Sequence, residues 1–281
     1  MVEPADSSTV VSLNNGDETD VRAGKGRGVQ SVEIGGRLLG LLAASGQPMM
    51  LRDLAQAAGL TPGQAHAYMT SFRKLEMVEQ DAAGRYRLGP FALHLGLARL
   101  RGTDPYKLAA EGVVGLAEEL NLMVAVTVWG THGPTIVLVQ ESSNYIHANV
   151  RAGGMFTVTG TATGKIFAAY LPAKLVEPVI QAELQATQKG WREVGALSGE
   201  ALAREVEKVR GAGIAATTDL PVPGISALSA PVFNHSGHLQ LAITIIGPTR
   251  KIDVDLAGPH AAALLKFTRE LSAKLGYRPP A

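Results

Sequence analysis

Any chemistry in this chain of 281 residues has to come from His, Ser, Thr, Asp, Glu or Lys, because the chain contains no cysteine. Disulfides, thiolate zinc sites, iron–sulfur clusters and cysteine nucleophiles are therefore excluded. His235 and His238 have the spacing of metal ligands, but residues 234–237 are typical of a hairpin turn, and no carboxylate lies nearby to complete a site. Residues 224–228 lack the second glycine of a hydrolase nucleophile elbow, and the histidines have no obvious acid partner for a triad. We expect no catalytic residue, no metal and no cofactor.

Residues 160–166 superficially resemble a phosphate-binding loop. They have three residues rather than four between the glycines, and an isoleucine follows the lysine, so the motif does not match. What remains is a run of small residues that leads into a predicted helix, and the unpaired N–H groups of a helix N-terminus favour an anion. A ligand carboxylate could rest on the amides of Ala162 to Gly164, assisted by the hydroxyl of Thr161 or Thr163. Helix capping alone is the alternative.

A second chemical pattern is typical of DNA recognition. Residues 51–58 predict a short helix that ends at Gly59, and Thr61-Pro62 predicts the start of a third helix that runs to about Leu75. A helix, a tight glycine turn and another helix predict a helix-turn-helix, in which the N-terminal end of the last helix faces base edges in the major groove.

The third helix should carry the side chains that read the sequence. Gln64 can make a bidentate contact with adenine, and His66 and Tyr68 can reach bases or phosphates. The alternative is that His66 and Tyr68 pack against the first helix. Arg73 and Lys74 lie further along, towards phosphates.

A β-hairpin should follow the third helix. Residues 77–80 and 85–88 predict two short strands joined by a turn at residues 81–84. Arg85 and Arg87 would lie on one face of this hairpin, where they would contact phosphate or the minor groove, or would simply be solvated. The predicted DNA-contacting residues are Thr61, Gly63, Gln64, His66, Ala67, Tyr68, Arg73, Lys74, Arg85 and Arg87.

The charge distribution agrees with a basic module joined to a neutral one. Residues 1–21 carry five acids and no Lys or Arg, residues 22–101 carry eleven Lys or Arg against five acids, and the remainder carries 15 of each sign. A polyanion is the obvious partner of the basic part, and a basic solvated surface is the alternative.

The elements predict an α+β fold with two domains. A first helix, capped by Ser31 and closed by Ser45-Gly46, completes a winged helix-turn-helix. Beyond it, helices at 107–120, 163–170, 173–188, 198–210 and 254–275 alternate with strands at 123–129, 135–140, 214–218, 227–232 and 239–246 to give a mostly antiparallel sheet flanked by helices. The predicted parts are a disordered N-terminal arm (1–28), a winged helix-turn-helix DNA-binding domain (29–90), a linker helix (91–102) and a C-terminal α+β domain (103–277).

A series of different short motifs lies along residues 29–277 in a fixed order. They are Ser31-Val32-Glu33, Leu54-Ala55, Gly59-Leu60, His66, Arg85-Tyr86-Arg87-Leu88-Gly89, Gly164-Lys165, Ala168-Ala169-Tyr170-Leu171-Pro172, Gly211 to Ile214 ahead of Asp219, Ala230-Pro231-Val232-Phe233 and Ile245-Ile246-Gly247-Pro248. This series resembles the IclR family of bacterial transcriptional regulators. The resemblance implies a GAF-like effector domain, a homodimer that often pairs into a homotetramer, and repression as the commoner output.

The resemblance also implies a ligand pocket. The chain has Ala227, Leu228, Thr244 and Ile246 where the family uses small, polar or sulfur-bearing residues, so we expect a more apolar wall. Such a pocket suits a small aromatic or aliphatic carboxylate with a hydroxyl or amino substituent near Asp219, and Met155 and Phe156 could pack on its ring. The predicted effector-binding residues are Met155, Thr161, Ala162, Thr163, Gly164, Asp219, Ala227, Leu228, Ser229, Thr244 and Ile246.

These expectations favour a ligand-responsive transcription factor that binds palindromic double-stranded operator DNA and a small carboxylate. Two alternatives stay open: an enzyme acting on a small acid with an accessory DNA-binding domain, and a non-specific architectural DNA binder. No apolar run approaches the ~18 residues of a membrane span, and the acidic start does not resemble a signal peptide, so we expect a cytoplasmic protein with no membrane partner.

Overall fold

The structure is a computed structural model that describes residues 28–142, 150–188 and 195–279. The predicted arm lies outside the described residues, apart from Gly28. The chain divides into two compact units, Met1–Leu97 and Ala98–Ala281. In the described part of the chain, no helix is long and apolar enough to cross a membrane.

The first unit is a winged helix-turn-helix, as predicted. Its core combines side chains from three helices and a hairpin, in which Val78 pairs with Leu88. Gly59 ends the second helix with a φ of 68°, a conformation that costs a glycine little. The elements are α1 (Gln30–Ser45), α2 (Leu51–Ala58), α3 (Pro62–Lys74), β1 (Val78–Gln80) and β2 (Tyr86–Leu88), followed by α4 (Pro90–Arg101).

One predicted cap in this unit is wrong. Helix α1 begins at Gln30, and its N-cap residue is Val29, which makes no side-chain capping bond. Ser31 therefore already lies inside the helix. The predicted end is confirmed, because Gly46 adopts the left-handed conformation directly after Ser45.

The second unit is an antiparallel sheet with helices on both faces, which confirms the predicted α+β class. Its five strands are arranged in the order β4-β3-β7-β6-β5. The elements are α5 (Pro105–Leu120), β3 (Met123–Gly130), β4 (Gly133–Gln140), α6 (Ala162–Tyr170), α7 (Ala173–Gln188), α8 (Gly199–Ala212), β5 (Ala215–Thr217), β6 (Ile225–Phe233), β7 (Leu239–Pro248) and α9 (Pro259–Lys274).

The two faces of the sheet bury different side chains, because successive residues of a strand point to opposite faces. On β6, Leu228 and Ala230 join the core formed with α5 and α9. Ala227 lies on the other face and packs in two clusters, one of which includes buried residues of α6. The face covered by α6 is therefore the one that can hold a ligand between helix and sheet.

The closing helix starts later than predicted. Residues 254–258 form turns in which aspartate side chains accept backbone amides: Asp253 Oδ1 accepts from Asp255 N at 3.0 Å, and Asp255 Oδ1 accepts from Ala257 N at 3.0 Å. In a helix that started at Val254, the Ala257 amide would donate to the Asp253 carbonyl, but it donates to the Asp255 side chain instead, and α9 begins only at Pro259.

Candidate functional site

Helix α3 begins with a complete capping box. Thr61 Oγ1 accepts a hydrogen bond from Gln64 N at 3.3 Å, while Gln64 Oε1 accepts from Thr61 N at 3.0 Å. The spacing of these two residues is that of a capping box, so the sequence did carry this signal. A bidentate contact with adenine would use the same amide oxygen, so it requires the Gln64 side chain to leave the box.

The outer face of α3 is open. Ala65 and Met69 are fully buried, whereas Gly63, His66 and Ala67 are exposed. The alternative that His66 packs inside the domain is therefore wrong. Tyr68 is half-buried and does pack against the core of this unit.

Hydrogen bonds connect the end of α3 with the wing, the hairpin formed by β1 and β2. Arg73 Nη1 donates to Gln80 Oε1 at 3.2 Å, and Gln80 Nε2 donates to the Gly84 carbonyl at 2.9 Å. Lys74 is exposed at the end of the helix. Of the two basic residues predicted to contact phosphates, Arg73 therefore also connects α3 to the wing.

Both predicted wing arginines pair with acids. Arg85 Nε lies 2.9 Å from Asp81 Oδ2, and Arg87 Nε lies 2.7 Å from Glu79 Oε1. The backbone amide and guanidinium of Arg85 lower the pKa of Asp81. Because both pairs are exposed, they contribute little energy, and a phosphate can replace the carboxylate.

The second unit contains a cavity of about 230 Å³ between the N-terminus of α6, strands β6 and β7, and two loops. It contacts seven of the predicted effector-binding residues: Met155, Thr161, Ala162, Thr163, Ala227, Thr244 and Ile246. The remaining lining residues are Ile136, Val150, Phe156, Thr157, Thr217, Leu220, Pro221, Val222 and Ile225. The described lining has no charged side chain and is mainly apolar.

Threonine hydroxyls provide most of the polar groups of the cavity. Thr163 Oγ1 and Ser229 Oγ lie 2.7 Å and 2.9 Å from Thr244 Oγ1, which makes a chain of three hydroxyls. Thr161 Oγ1 donates to the Thr157 carbonyl at 2.7 Å and accepts from Gly164 N at 2.9 Å. In contrast, Thr157 Oγ1 is buried and has no hydrogen-bond partner among the described residues. A buried hydroxyl without a partner costs free energy, so Thr157 Oγ1 retains an unused capacity for a hydrogen bond near the cavity wall.

Four predicted pocket residues do not line the cavity. Leu228 points to the opposite face of the sheet, and Ser229 lies behind Thr244. Gly164 packs so closely on the preceding loop that a Cβ would overlap the Thr157 carbonyl oxygen. Asp219 accepts hydrogen bonds from Gly224 N at 2.9 Å and from Thr249 Oγ1 at 2.6 Å, so its carboxylate closes the loop that carries Leu220, Pro221 and Val222.

The His235–His238 segment is a hairpin turn between β6 and β7, as predicted. Asn234 Oδ1 accepts from the backbone N–H groups of Ser236 and His238. Across the residues with described positions, no group of three or more His, Asp or Glu side chains could hold a metal ion.

Two family models match the chain over most of its length. The model for the IclR helix-turn-helix domain matches residues 31–82, and the model described as "Bacterial transcriptional regulator IclR C-terminal" matches residues 100–273.

Individual proteins match over nearly the same extent. The chain is 28% identical to the glycerol operon regulatory protein of Streptomyces coelicolor, over 89% of this chain and 98% of that protein. It is 24% identical to the transcriptional repressor IclR of Escherichia coli, over 88% and 90% of the two chains. The crystal structure of Pseudomonas aeruginosa HmgR is similar with a TM-score of 0.81 and 32% identity, covering 90% of this chain and all of that one.

Proposed function

The chain belongs to the IclR family of bacterial transcriptional regulators, and from this premise we propose that it is a repressor whose affinity for operator DNA changes when a small carboxylate binds. In this proposal residues 29–90 bind DNA, residues 91–102 form the linker helix, and residues 103–277 bind the effector. One similar protein is named a transcriptional repressor, which supports repression. Because its proposed partner is chromosomal DNA, we place the protein in the cytoplasm.

The exposed outer face of α3 is the observation that carries the DNA-binding part. A helix held from behind by Ala65 and Met69 offers His66, Ala67 and the Gly63 backbone to a groove. Lys74 and the two wing arginines add positive charge on either side, which attracts phosphates.

The carboxylate part rests on the first turn of α6. Its Ala162 and Thr163 amides lack helical partners, as the first N–H groups of any helix do, and both residues line the cavity. Thr157, another lining residue, carries a buried hydroxyl without a hydrogen-bond partner among the described residues. An anionic end with an apolar body suits this combination, because the remaining walls are mainly apolar.

We also propose a homodimer, with a dimer of dimers as its further assembly. None of the residues of α4 is buried, and the helix exposes five large apolar side chains: Phe91, Leu93, Leu95, Leu97 and Leu100. A second copy of α4 would cover them, and a dimer would present two recognition helices to a palindrome. A ligand that prefers one arrangement of the dimer would then change its DNA affinity.

DNA binding is tested by fluorescence anisotropy with duplexes tiled across the regions beside the gene and with scrambled duplexes of equal length. We expect one tile to bind roughly 1,000-fold more tightly than scrambled DNA. Lys74→Gln should weaken binding to all duplexes by a similar factor. It should also make the slope of log affinity against log salt less steep by about one. Equal affinity for all duplexes would instead identify an architectural binder.

Ligand binding is tested with benzoate, 4-hydroxybenzoate, phenylacetate and pyruvate, each beside its uncharged amide. We expect at least one acid to raise the melting temperature more than its amide does, and to be recovered unchanged after long incubation. Thr157→Val should weaken that acid without lowering the stability of the free protein, because it removes a hydroxyl that has no partner. Consumption of the acid would support the enzyme alternative. Equal stabilisation by acids and amides would contradict the proposal that the effector is a carboxylate.

A further inference from the structure

One continuous segment supplies much of the effector cavity, and it is anchored at both ends. Residues 155–163 contribute six lining residues: Met155, Phe156, Thr157, Thr161, Ala162 and Thr163. At one end Phe156 N donates to the Pro134 carbonyl at 2.9 Å, and at the other end Thr163 Oγ1 lies 2.7 Å from Thr244 Oγ1 on β7. The middle of the segment, Val158 and Thr159, is buried but does not line the cavity.

A carboxylate on α7 holds this middle part from the side away from the cavity. Glu183 Oε1 accepts from Val158 N at 2.7 Å, while Glu183 Oε2 accepts from Thr159 N at 3.0 Å and from Thr159 Oγ1 at 2.7 Å. Both carboxylate oxygens are therefore used, by two consecutive amides and one hydroxyl. Hydrogen bonds to a charged acceptor are about twice as strong as neutral ones.

The position of this backbone is transmitted directly to α6. The first turn of the helix lies against Thr157 and Val158, since a Cβ on Gly164 would overlap the Thr157 carbonyl oxygen and crowd the Val158 Cα. A shift of Val158 would therefore move the free amides at the start of α6 and the unpartnered hydroxyl of Thr157 together.

We propose that Glu183 is a positioning residue of the effector site, which sets the geometry of the anion-binding groups without touching the ligand. The proposal rests on the proposed function, because it takes the cavity to be the ligand site. Glu183 lies outside the cavity lining, and its contacts with residues 158–159 reach both elements that would hold the carboxylate. It thereby determines how tightly the site recognises an acid.

The first test follows the loop itself and needs no ligand. In the unsubstituted protein both backbone N–H groups face a carboxylate oxygen, and Glu183→Gln places an NH₂ group against one of them. Hydrogen–deuterium exchange of peptides covering residues 155–163 should become roughly tenfold faster in this variant. Glu177→Gln is the matched control, because Glu177 is an exposed residue of the same helix and the charge change is identical. Unchanged exchange in Glu183→Gln, or the same acceleration in both variants, would overturn the proposal.

The second test measures recognition with whichever of the four acids most stabilises the unsubstituted protein. In Glu183→Gln, the acid concentration that half-saturates the protein should rise roughly tenfold, while affinity for the operator duplex without ligand stays unchanged. Glu183→Asp keeps the charge on a shorter side chain, so its half-saturating acid concentration should lie between those of the unsubstituted protein and Glu183→Gln. Equal half-saturation in Glu183→Gln and the unsubstituted protein would refute the positioning role. If no acid binds the unsubstituted protein, the proposed effector class fails, and the exchange experiment still decides whether Glu183 holds the loop.

Discussion

The hydroxyl of Thr163, in the first turn of α6, lies 2.7 Å from the hydroxyl of Thr244 on β7, and both residues are almost completely buried. Thr244 also bonds to Ser229 on the neighbouring strand. This chain of hydroxyls joins the start of the helix to the sheet at the floor of the cavity. Two bonds use two of the three hydroxyl protons, so the third is available to a neighbouring acceptor.

Replacing the middle hydroxyl should be the most costly change in this chain. Thr244→Val keeps the shape but leaves the hydroxyls of Thr163 and Ser229 buried without their shared partner, so we expect a loss of about 1–3 kcal/mol in unfolding free energy. Ser229→Ala removes only one end of the chain and should cost less. Urea denaturation with unchanged m-values measures both. A Thr244→Val protein as stable as the unsubstituted one would show that these bonds contribute nothing.

Gly164 and Gly211 provide a matched pair of glycines within helices. An alanine at Gly164 would press its Cβ into the backbone of the loop below, so it should lower the unfolding free energy by about 1–3 kcal/mol and weaken acid binding. At Gly211, apart from the adjacent residues and the backbone of the same helix, no atom of the described residues lies within 4 Å of such a Cβ. There the alanine should stabilise the helix by up to about 1 kcal/mol. Denaturation curves of Gly164→Ala and Gly211→Ala therefore move in opposite directions, and a common direction contradicts the close contact.

The order and type of the elements were predictable because their signals are local. The turn at Asn234–Gly237 and the helix that ends at Gly59 depend on residues adjacent in the chain, and both are present. The start of α9 was missed, since the Asp255 side chain takes up the Ala257 amide that a helix starting at Val254 would need.

The cavity was only partly predictable. Thr244 and Ala227 follow from strand alternation, and the same alternation excludes Leu228, although the resemblance suggested it. Thr157 and Leu220 lie in loops whose positions depend on contacts distant in sequence, such as the bond of Glu183 to Val158 N and the bond of Asp219 to Thr249. No local pattern predicts those contacts.

The capping box of α3 predicts how stability and DNA binding are linked. Thr61→Ala removes the acceptor for Gln64 N, so we expect a loss of about 1 kcal/mol in the stability of the N-terminal unit. Fraying of the recognition helix should weaken operator binding as well. Thr70→Ala is the control for the stability measurement, because Thr70 is exposed in the same helix and alanine favours a helix. Circular dichroism melting and fluorescence anisotropy measure the two effects. A Thr61→Ala protein as stable as the unsubstituted one would show that the capping box contributes nothing to stability.

Lys165 and Glu205 form the most buried ion pair among the described residues. Lys165 is 8% exposed, and its Nζ donates to the Ala216 carbonyl at 3.2 Å and lies 3.7 Å from Glu205 Oε2. Burial lowers the pKa of Lys165. A hydrogen bond from Lys208, together with the charge of Lys165, holds the pKa of Glu205 below its ordinary value of 4.5.

Acid should therefore remove a stabilising contribution of Glu205. A carboxylate with a lowered pKa in the folded state stabilises the protein above its ordinary pKa of 4.5, and this contribution is lost as pH falls through the lower, folded value. Glu205→Gln should consequently be less stable than the unsubstituted protein at neutral pH, with a difference that shrinks as the solution becomes acidic. Glu200→Gln, in an exposed pair on the same helix, should change little at any pH. Denaturation midpoints measured from neutral to acidic pH decide this, and a difference that grows in acid would reverse the assigned sign.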